Sequence, residues 1–274
     1  MLLTAFALCM FAANSLLCRM ALGAGLVDAA SYSSIRLLSG ALVLLLIVRT
    51  RHGAWKMGGD PRSAFYLFLY AVPFSLAYNG LTTGTGALIL FGFVQLTMLV
   101  VAWRSGERPA VVQWVGLVLA AGGLVYLVLP GLHAPAPLPA LLMAIAGAAW
   151  GLYTIRGRGA GDALLRTTGN FTRALPMVLL VSLLGFSYVH ISWQGALLAV
   201  LSGAVSSAMG YVAWYAVLKF LSTTSASILQ LLVPVLAALA GVLILSEPFG
   251  FRLGVSTVLV IGGVATTLLR PVKA

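Results

Sequence analysis

The side chains of this sequence that could do chemistry are few, mostly polar without being titratable, and set among apolar residues. Asn14 lies within MFAANSLL, where it could hydrogen-bond a solute or make an interhelical amide contact worth about 0.6–2 kcal/mol. Ser207, Tyr211 and Tyr215 are spaced i, i+4 and i+8 in SGAVSSAMGYVAWYAVLK, with Trp214 beside them, so one helix face presents hydroxyls and aromatic rings. Tyr and Trp can meet an amphipathic solute with both a flat apolar surface and a hydrogen-bonding end. The competing reading is an interfacial aromatic belt, because these residues approach the end of an apolar run. Trp150 and Tyr153 form a second aromatic pair. Tyr66, Tyr70, Phe74 and Tyr78 make one i, i+4 stripe, which reads as packing and leaves Tyr78 alone as a solute contact. Gln95 and Gln230 are the remaining amides inside apolar runs, able to coordinate a solute or to bond a neighbouring carbonyl. Solute binding is therefore expected of Asn14, Tyr78, Gln95, Trp150, Tyr153, Ser207, Tyr211, Trp214, Tyr215 and Gln230.

Arg36 stands as the one strong charge well inside an apolar run. At a helix centre Arg costs roughly 2.5–3.5 kcal/mol on insertion scales, and less when it snorkels outward. A solute carboxylate is one partner it could take; backbone carbonyls or Asp28 are the favoured ones. Catalysis would need titratable or metal-binding groups held together. Here His52, His133 and His190 all fall in loops, and the five acids sit at helix ends or in loops. There is no Cys-x-x-Cys or His-Glu-x-x-His pattern. No catalytic residue, metal ligand or cofactor is expected, and no enzyme activity. A channel would need a charged ring or filter loop, and an ion-driven carrier a carboxylate at mid-membrane. Neither is visible, which favours facilitated export down the solute gradient. A carrier of phosphorylated solutes would want more deep cations than Arg36 and Lys219.

The elements that must position these residues are membrane helices. Hydrophobic residues make up 61% of the 274 and charged ones only 8%, against about 25% charged in soluble domains, and mean hydropathy is +1.08. Apolar stretches recur that match the roughly 20 residues a helix needs to cross hydrocarbon. The spans expected are 2–20, 29–49, 63–82, 84–103, 110–129, 138–156, 167–189, 194–219, 224–246 and 252–270. The net charge of +11 comes from scattered basic residues without a basic helix face or stacking motif, which excludes a nucleic-acid partner. Cys9 and Cys18 are about 13 Å apart along one helix and on opposite faces, too far for a disulfide. The N-terminal MLLTAFALCMFAANSLLCR lacks the basic region and cleavage site of a signal peptide and reads as the first span.

With ten helices, the loops on the C-terminal side hold Arg49, Arg51, Lys56, Arg62, Arg104, Arg108, Arg156, Arg158, Arg166, Lys219, Arg270 and Lys273, while the other side holds Arg19 and Arg252. The positive-inside bias puts both termini in the cytoplasm. An internal repeat is also visible. Thr82-Thr83, Glu107 and Gly122-Gly123 recur as Thr223-Thr224, Glu247 and Gly262-Gly263, displaced by about 140 residues. Five helices fit in that displacement, so the second copy would enter the membrane from the opposite side, as in transporters with inverted repeats. The expected fold is all-α and polytopic, with residues 1–135 as the first five-helix repeat and 136–274 as the second. Gly203 and Ser207, Ala237 and Gly241, and Gly116 and Ala120 form small-xxx-small pairs that allow close helix approach. Pro73, Pro176 and Pro234 could kink their helices.

Several of these patterns together resemble the EamA branch of the drug/metabolite transporter superfamily over essentially the whole chain. They are SYSSIRLLSGALVLL with its Arg, GERP…WVG…AGG after the fourth helix, LSEP…GG in the second half, and a Pro within LVPVLAALAGVLILSEP. The aromatic amino-acid exporters of the YddG type are similar in size and in the aromatic content of the eighth helix. The resemblance implies an inner-membrane exporter of small metabolites, with aromatic or large neutral amino acids as the expected substrates and alternating access as the mechanism. Efflux of other metabolites or lipophilic drugs by proton antiport is the alternative. Small multidrug-resistance relatives carry a Glu deep in the first helix for proton exchange; Asn14 cannot titrate, which counts against that coupling. Beyond solute and lipid no partner is expected, and the state is monomeric or weakly dimeric.

Overall fold

Apolar stretches of this length must satisfy every backbone N–H and C=O internally, and the helix does so within one segment. The computed structural model describes residues 2–104, 111–128, 134–158, 161–221, 226 and 229–268, and these are helical nearly throughout. The principal helices are α1 Leu2–Gly23, α2 Ala29–His52, α3 Pro61–Ala77, α4 Thr83–Arg104, α5 Val111–Val128, α6 Pro137–Gly157, α7 Ala163–Leu184, α8 Trp193–Leu218, α9 Leu232–Leu245 and α10 Phe251–Leu268. Among the described residues, α1, α2, α4, α6 and α8 are long and apolar enough to cross a membrane, and shorter apolar segments lie in α5, α9 and α10. Polytopic membrane architecture follows.

The turns supply the caps that the ends of helices require. Asp28, Asp60, Asp162 and Ser192 accept from the first-turn amides of α2, α3, α7 and α8. Gly53, at φ 67°, closes α2 in the left-handed conformation that glycine adopts without penalty. Pro73 and Pro176 do lie inside α3 and α7, whereas Pro234 falls in the first turn of α9, where its missing N–H costs little. Helix α3 stops at Ala77, so Tyr78 is its C-cap instead of a residue within a span.

Apolar side chains lie on the outer surface as well as in the core. Leu42 and Leu46 on α2, Leu183 and Leu184 on α7, and Leu239 and Leu243 on α9 face outward, while Asn14, Arg36, Gln95, Asn170 and Gln230 are buried. Arg173, overlooked beside Arg36 in the sequence, is also inside a helix; its exposed guanidinium reaches the carbonyl of Gly58 near the end of the bundle. Helix α1 packs on α8 and α9, and α6 packs on α3 and α4. Helices α2 and α7, α4 and α9, and α5 and α10 pair directly.

Small residues stand at these crossings. Gly203 on α8 faces the backbone of Arg36 on α2, Gly241 on α9 faces Thr83 on α4, and Gly263 on α10 faces Gly116 and Ala120 on α5. Each of the three small-residue pairs read from the sequence thus supplies a contact surface. A Cβ at Gly203 would run into the Arg36 carbonyl and Ser39 Oγ. Gly203→Val should therefore lower the melting temperature in detergent micelles, by the roughly 1–3 kcal/mol typical of overpacking; an unchanged melting temperature would mean that α2 and α8 can separate freely there.

Candidate functional site

Helix α2 carries Arg36 into the middle of the bundle, and the guanidinium is fully buried. Its Nε donates to Ser207 Oγ at 2.9 Å, and its Nη2 donates to Tyr211 Oη at 2.8 Å and Tyr70 Oη at 3.1 Å. The cation also lies 5.2 Å from the ring centroids of Tyr70 and Phe74, within the range of a cation–π contact. Asp28 is not its partner: that carboxylate caps α2 and accepts from Ser31 and His190 amides. Neutral hydroxyls take the place of the carbonyls and the carboxylate expected from sequence.

Asn14 on α1 joins the same cluster. Its Nδ2 donates to Tyr70 Oη at 3.1 Å, and its Oδ1 accepts from Ser202 Oγ at 2.7 Å and Ser207 Oγ at 3.4 Å. Ser202 and Ser207 are five residues apart, which on an α-helix would splay them by about 140°. They reach one acceptor because Ser202–Met209 is wound as a π-helix inside α8, whose i→i+5 bonding stacks residues five apart. The i, i+4 reading of Ser207 with Tyr211 missed this local change of pitch; the run of small residues SGAVSSAMG is its one trace in the sequence.

Around the polar centre stands an aromatic shell. Trp150 lies 4.7 Å from Tyr211 and 5.0 Å from Tyr70, and Phe11 makes edge contacts with Trp150, Tyr211 and Trp214. Trp150 Nε1 donates to Gln230 Oε1 at 2.8 Å. Trp214 is fully buried, so the aromatic-belt alternative does not hold for it. Tyr153 and Tyr215 stack at 5.1 Å, and Tyr215 Oη donates to the Tyr153 carbonyl. Gln95 is buried on α4, which packs against α6.

Tyr78 stands apart from the central cluster, at one end of the bundle. Its carbonyl accepts from Arg19, whose Nε pairs with Glu247 Oε1 at 3.1 Å, while Glu247 Oε2 accepts from the Thr83 amide. Residues of α1, α3, α4 and the α9–α10 turn are thereby tied together. A matching clasp closes the opposite end, where Arg156 on α6 pairs with Asp60 at 2.8 Å and donates to Ser63. The Asp60 amide donates to Asn170, which in turn donates to Tyr153 Oη. Partial burial pushes the Asp60 carboxyl up, but the Ser63 hydrogen bonds and the Arg156 guanidinium outweigh it and hold the group below the usual carboxylate range. This clasp is thus intact at neutral pH and is lost only as pH falls through that depressed value. Glu107, the sequence counterpart of Glu247, lies outside the described residues. Two cavities, of about 680 and 330 Å³, open near the two ends, the first beside Thr82 and Pro248 and the second beside Asp162 and Tyr215. Arg36, Tyr70 and Tyr211 line neither.

A buried polar and aromatic centre thus lies between the helices, with an ion pair near each end of the bundle. The family model for EamA-like transporters matches residues 137–269. The uncharacterized protein PA1977 of Pseudomonas aeruginosa is 46% identical over 269 residues, covering 98% of this chain and 94% of its own. The chain belongs to the EamA-like transporter family. A solved crystal structure of a protein 19% identical superposes over 98% of this chain and 96% of its own with a TM-score of 0.70, which shows a shared fold. EamA-like proteins are membrane transporters of small molecules and not enzymes, and the small-molecule and lipid partners follow from that.

The sequence reading gives the clasp residues no pairing role: Arg19 and Arg156 serve there as markers of sidedness, Glu247 as a member of the repeat, and Asp60 as one of five acids at helix ends or in loops. Cys18, buried one residue before Arg19, reports on the first clasp. In a Cys9→Ala background, Glu247→Gln should raise maleimide labelling of Cys18 several-fold, because an ion pair of this exposure contributes only about 0–1 kcal/mol and its loss shifts the open population accordingly. Labelling equal to that of the parent would show that other contacts hold this end shut.

Proposed function

We propose that this EamA-like transporter exports aromatic or large neutral amino acids across the bacterial inner membrane by alternating access, as exporters of the YddG type do. The observation that carries this reading is the central cluster itself. Amide, hydroxyl and guanidinium groups there adjoin Phe11, Trp150 and Tyr211, the combination that suits a solute with one polar end and one flat or bulky apolar end. No carboxylate among the described residues contacts this cluster, which supports movement down the solute gradient over proton exchange.

Ten spans in two inverted five-helix repeats, residues 1–135 and 136–274, are part of the same proposal. Exchanging each helix for the one five places on converts the α1–α8 contact into α6–α3, α1–α9 into α6–α4 and α2–α3 into α7–α8, and each of these pairs is in contact. The family match, confined to residues 137–269, coincides with α6–α10. Both clasps join the two halves, Arg19 to Glu247 and Asp60 to Arg156. Each is partly exposed and so weak, which lets either end open without a large energetic penalty. Basic residues crowd the Asp60 end, supporting cytoplasmic termini. With both halves in one chain, the working unit is a monomer or a weak dimer.

Flux of labelled phenylalanine, tryptophan and leucine from proteoliposomes, with and without an imposed proton gradient, tests the reading. Gradient-independent efflux is expected. Tyr211→Ala and Trp214→Ala should each slow it by about tenfold, the effect of losing an aromatic contact near 1.5 kcal/mol, with membrane insertion retained. Wild-type rates in both variants would remove the site; a strict need for the proton gradient would favour antiport of metabolites or drugs.

A further inference from the structure

We infer that Arg36 is the receptor for a solute carboxylate, so that the transported class is restricted to solutes bearing a free acid beside a flat or bulky apolar body. The inference rests on the transport reading and narrows it. Arg36 is a full positive charge at zero exposure, and burying such a charge unpaired is among the costliest arrangements a protein can hold. Four of the five acids are committed elsewhere: Asp28 and Asp162 to the caps of α2 and α7, Asp60 to Arg156, and Glu247 to Arg19. The fifth, Glu107, lies outside the described residues.

The donor geometry points the same way. A guanidinium offers five N–H groups in a planar fork suited to two carboxylate oxygens. Nε and Nη2 are engaged with Ser207, Tyr70 and Tyr211, but Nη1 is buried with no partner. An orphaned buried donor on a charged group needs a reason. Moreover, the phenol oxygens of Tyr70 and Tyr211 both accept from Arg36, and Tyr70 accepts from Asn14 as well, so the hydroxyls around the guanidinium are neutral acceptors and none compensates its charge. The unpartnered Nη1 thus belongs to a guanidinium to which no anion is supplied among the described residues. Beside Tyr70 lie the rings of Trp150 and Phe74, with centroids 5.0 and 5.1 Å from its own. They offer apolar surface to whatever is attached to the acid.

The competing account makes Arg36 a bracket between α2, α3 and α8. Neutral hydrogen bonds would do that task without importing a charge, and the two accounts predict opposite stabilities for the empty protein. If Arg36 waits for an anion, Arg36→Met removes an uncompensated buried charge and leaves the ligand-free melting temperature equal or higher. If it is a bracket, the same change lowers it.

The test measures competition for labelled phenylalanine and leucine flux in proteoliposomes, and thermal shifts in detergent, using both amino acids, their amides, 2-phenylethylamine and phenylpyruvate. The acids should compete at least about tenfold better than the amides, since a site built for one polar group discriminates strongly against its absence. Phenylpyruvate should compete and 2-phenylethylamine should not. Arg36→Met should lose both flux and this preference, and Arg36→Lys, which keeps the charge without the fork, should retain folding with a weaker preference. Amides as effective as acids, a preference surviving in Arg36→Met, or a marked fall in its ligand-free melting temperature would each overturn the inference. Absence of amino-acid flux in the wild type would reject the amino-acid reading instead. The carboxylate site then stands or falls on whether phenylpyruvate raises the melting temperature in an Arg36-dependent way.

Discussion

A guanidinium at the centre of an apolar bundle forces the surrounding structure to supply acceptors at hydrogen-bonding distance. Arg36 obtains them from three hydroxyls on two other helices, Tyr70 on α3 and Ser207 and Tyr211 on α8. Those helices must therefore pass close to α2 at this depth. Gly203 permits the approach by bringing α8 against the Arg36 backbone, and the π-helical winding of Ser202–Met209 rotates Ser207 into reach. Asn14 then follows, because Ser202, Ser207 and Tyr70 together leave room for an amide that both donates and accepts. Helices α1, α2, α3 and α8 thus meet around one buried cation, whose charge no anion among the described residues compensates.

The same economy of charge governs the ends. The described ion pairs lie near the termini of helices, where water and partial exposure lessen the desolvation cost. A closure of this type is easily reversed, whereas apolar side chains packed at the same positions would have to be exposed to open. A small energy difference between closed and open ends is what the proposed alternating-access mechanism requires.

Composition and spacing in the sequence were enough for the helices, because a 20-residue apolar run has few alternatives in hydrocarbon. Small-residue pairs also translated directly into crossings, since close approach is a property of the side chain alone. The site was legible only in part. Asn14, Trp150, Tyr153, Ser207, Tyr211 and Gln230 do enter one connected cluster. Tyr70, the residue that joins Asn14 to Arg36, was passed over because an i, i+4 aromatic stripe looks like packing until one knows which neighbour meets each ring. Tyr78 was placed inside a helix because nothing local marks Ala77 as the last helical residue. The partners of Arg36 were out of reach for a similar reason, lying 34, 171 and 175 residues away in the chain.

The aromatic rows connect the centre with its closures. From Tyr70, the α3 stripe runs through Phe74 to Tyr78, with ring centroids 5.1 and 4.9 Å apart, and Tyr78 is held by Arg19 of the first clasp. From Tyr211, the contacts run to Tyr153 and on to Tyr215 and Asn170, and Asn170 accepts from Asp60 of the second clasp. The two phenols that hold Arg36 are therefore the first members of two rows leading to opposite ends. Side chains packed at interior density shift between discrete arrangements and do not deform smoothly. A group that inserts between Tyr70 and Tyr211 must displace at least one of them, and the row that moves selects the end that is disturbed. In the proposed mechanism, these rows are the contacts through which binding at the centre would be coupled to opening at an end.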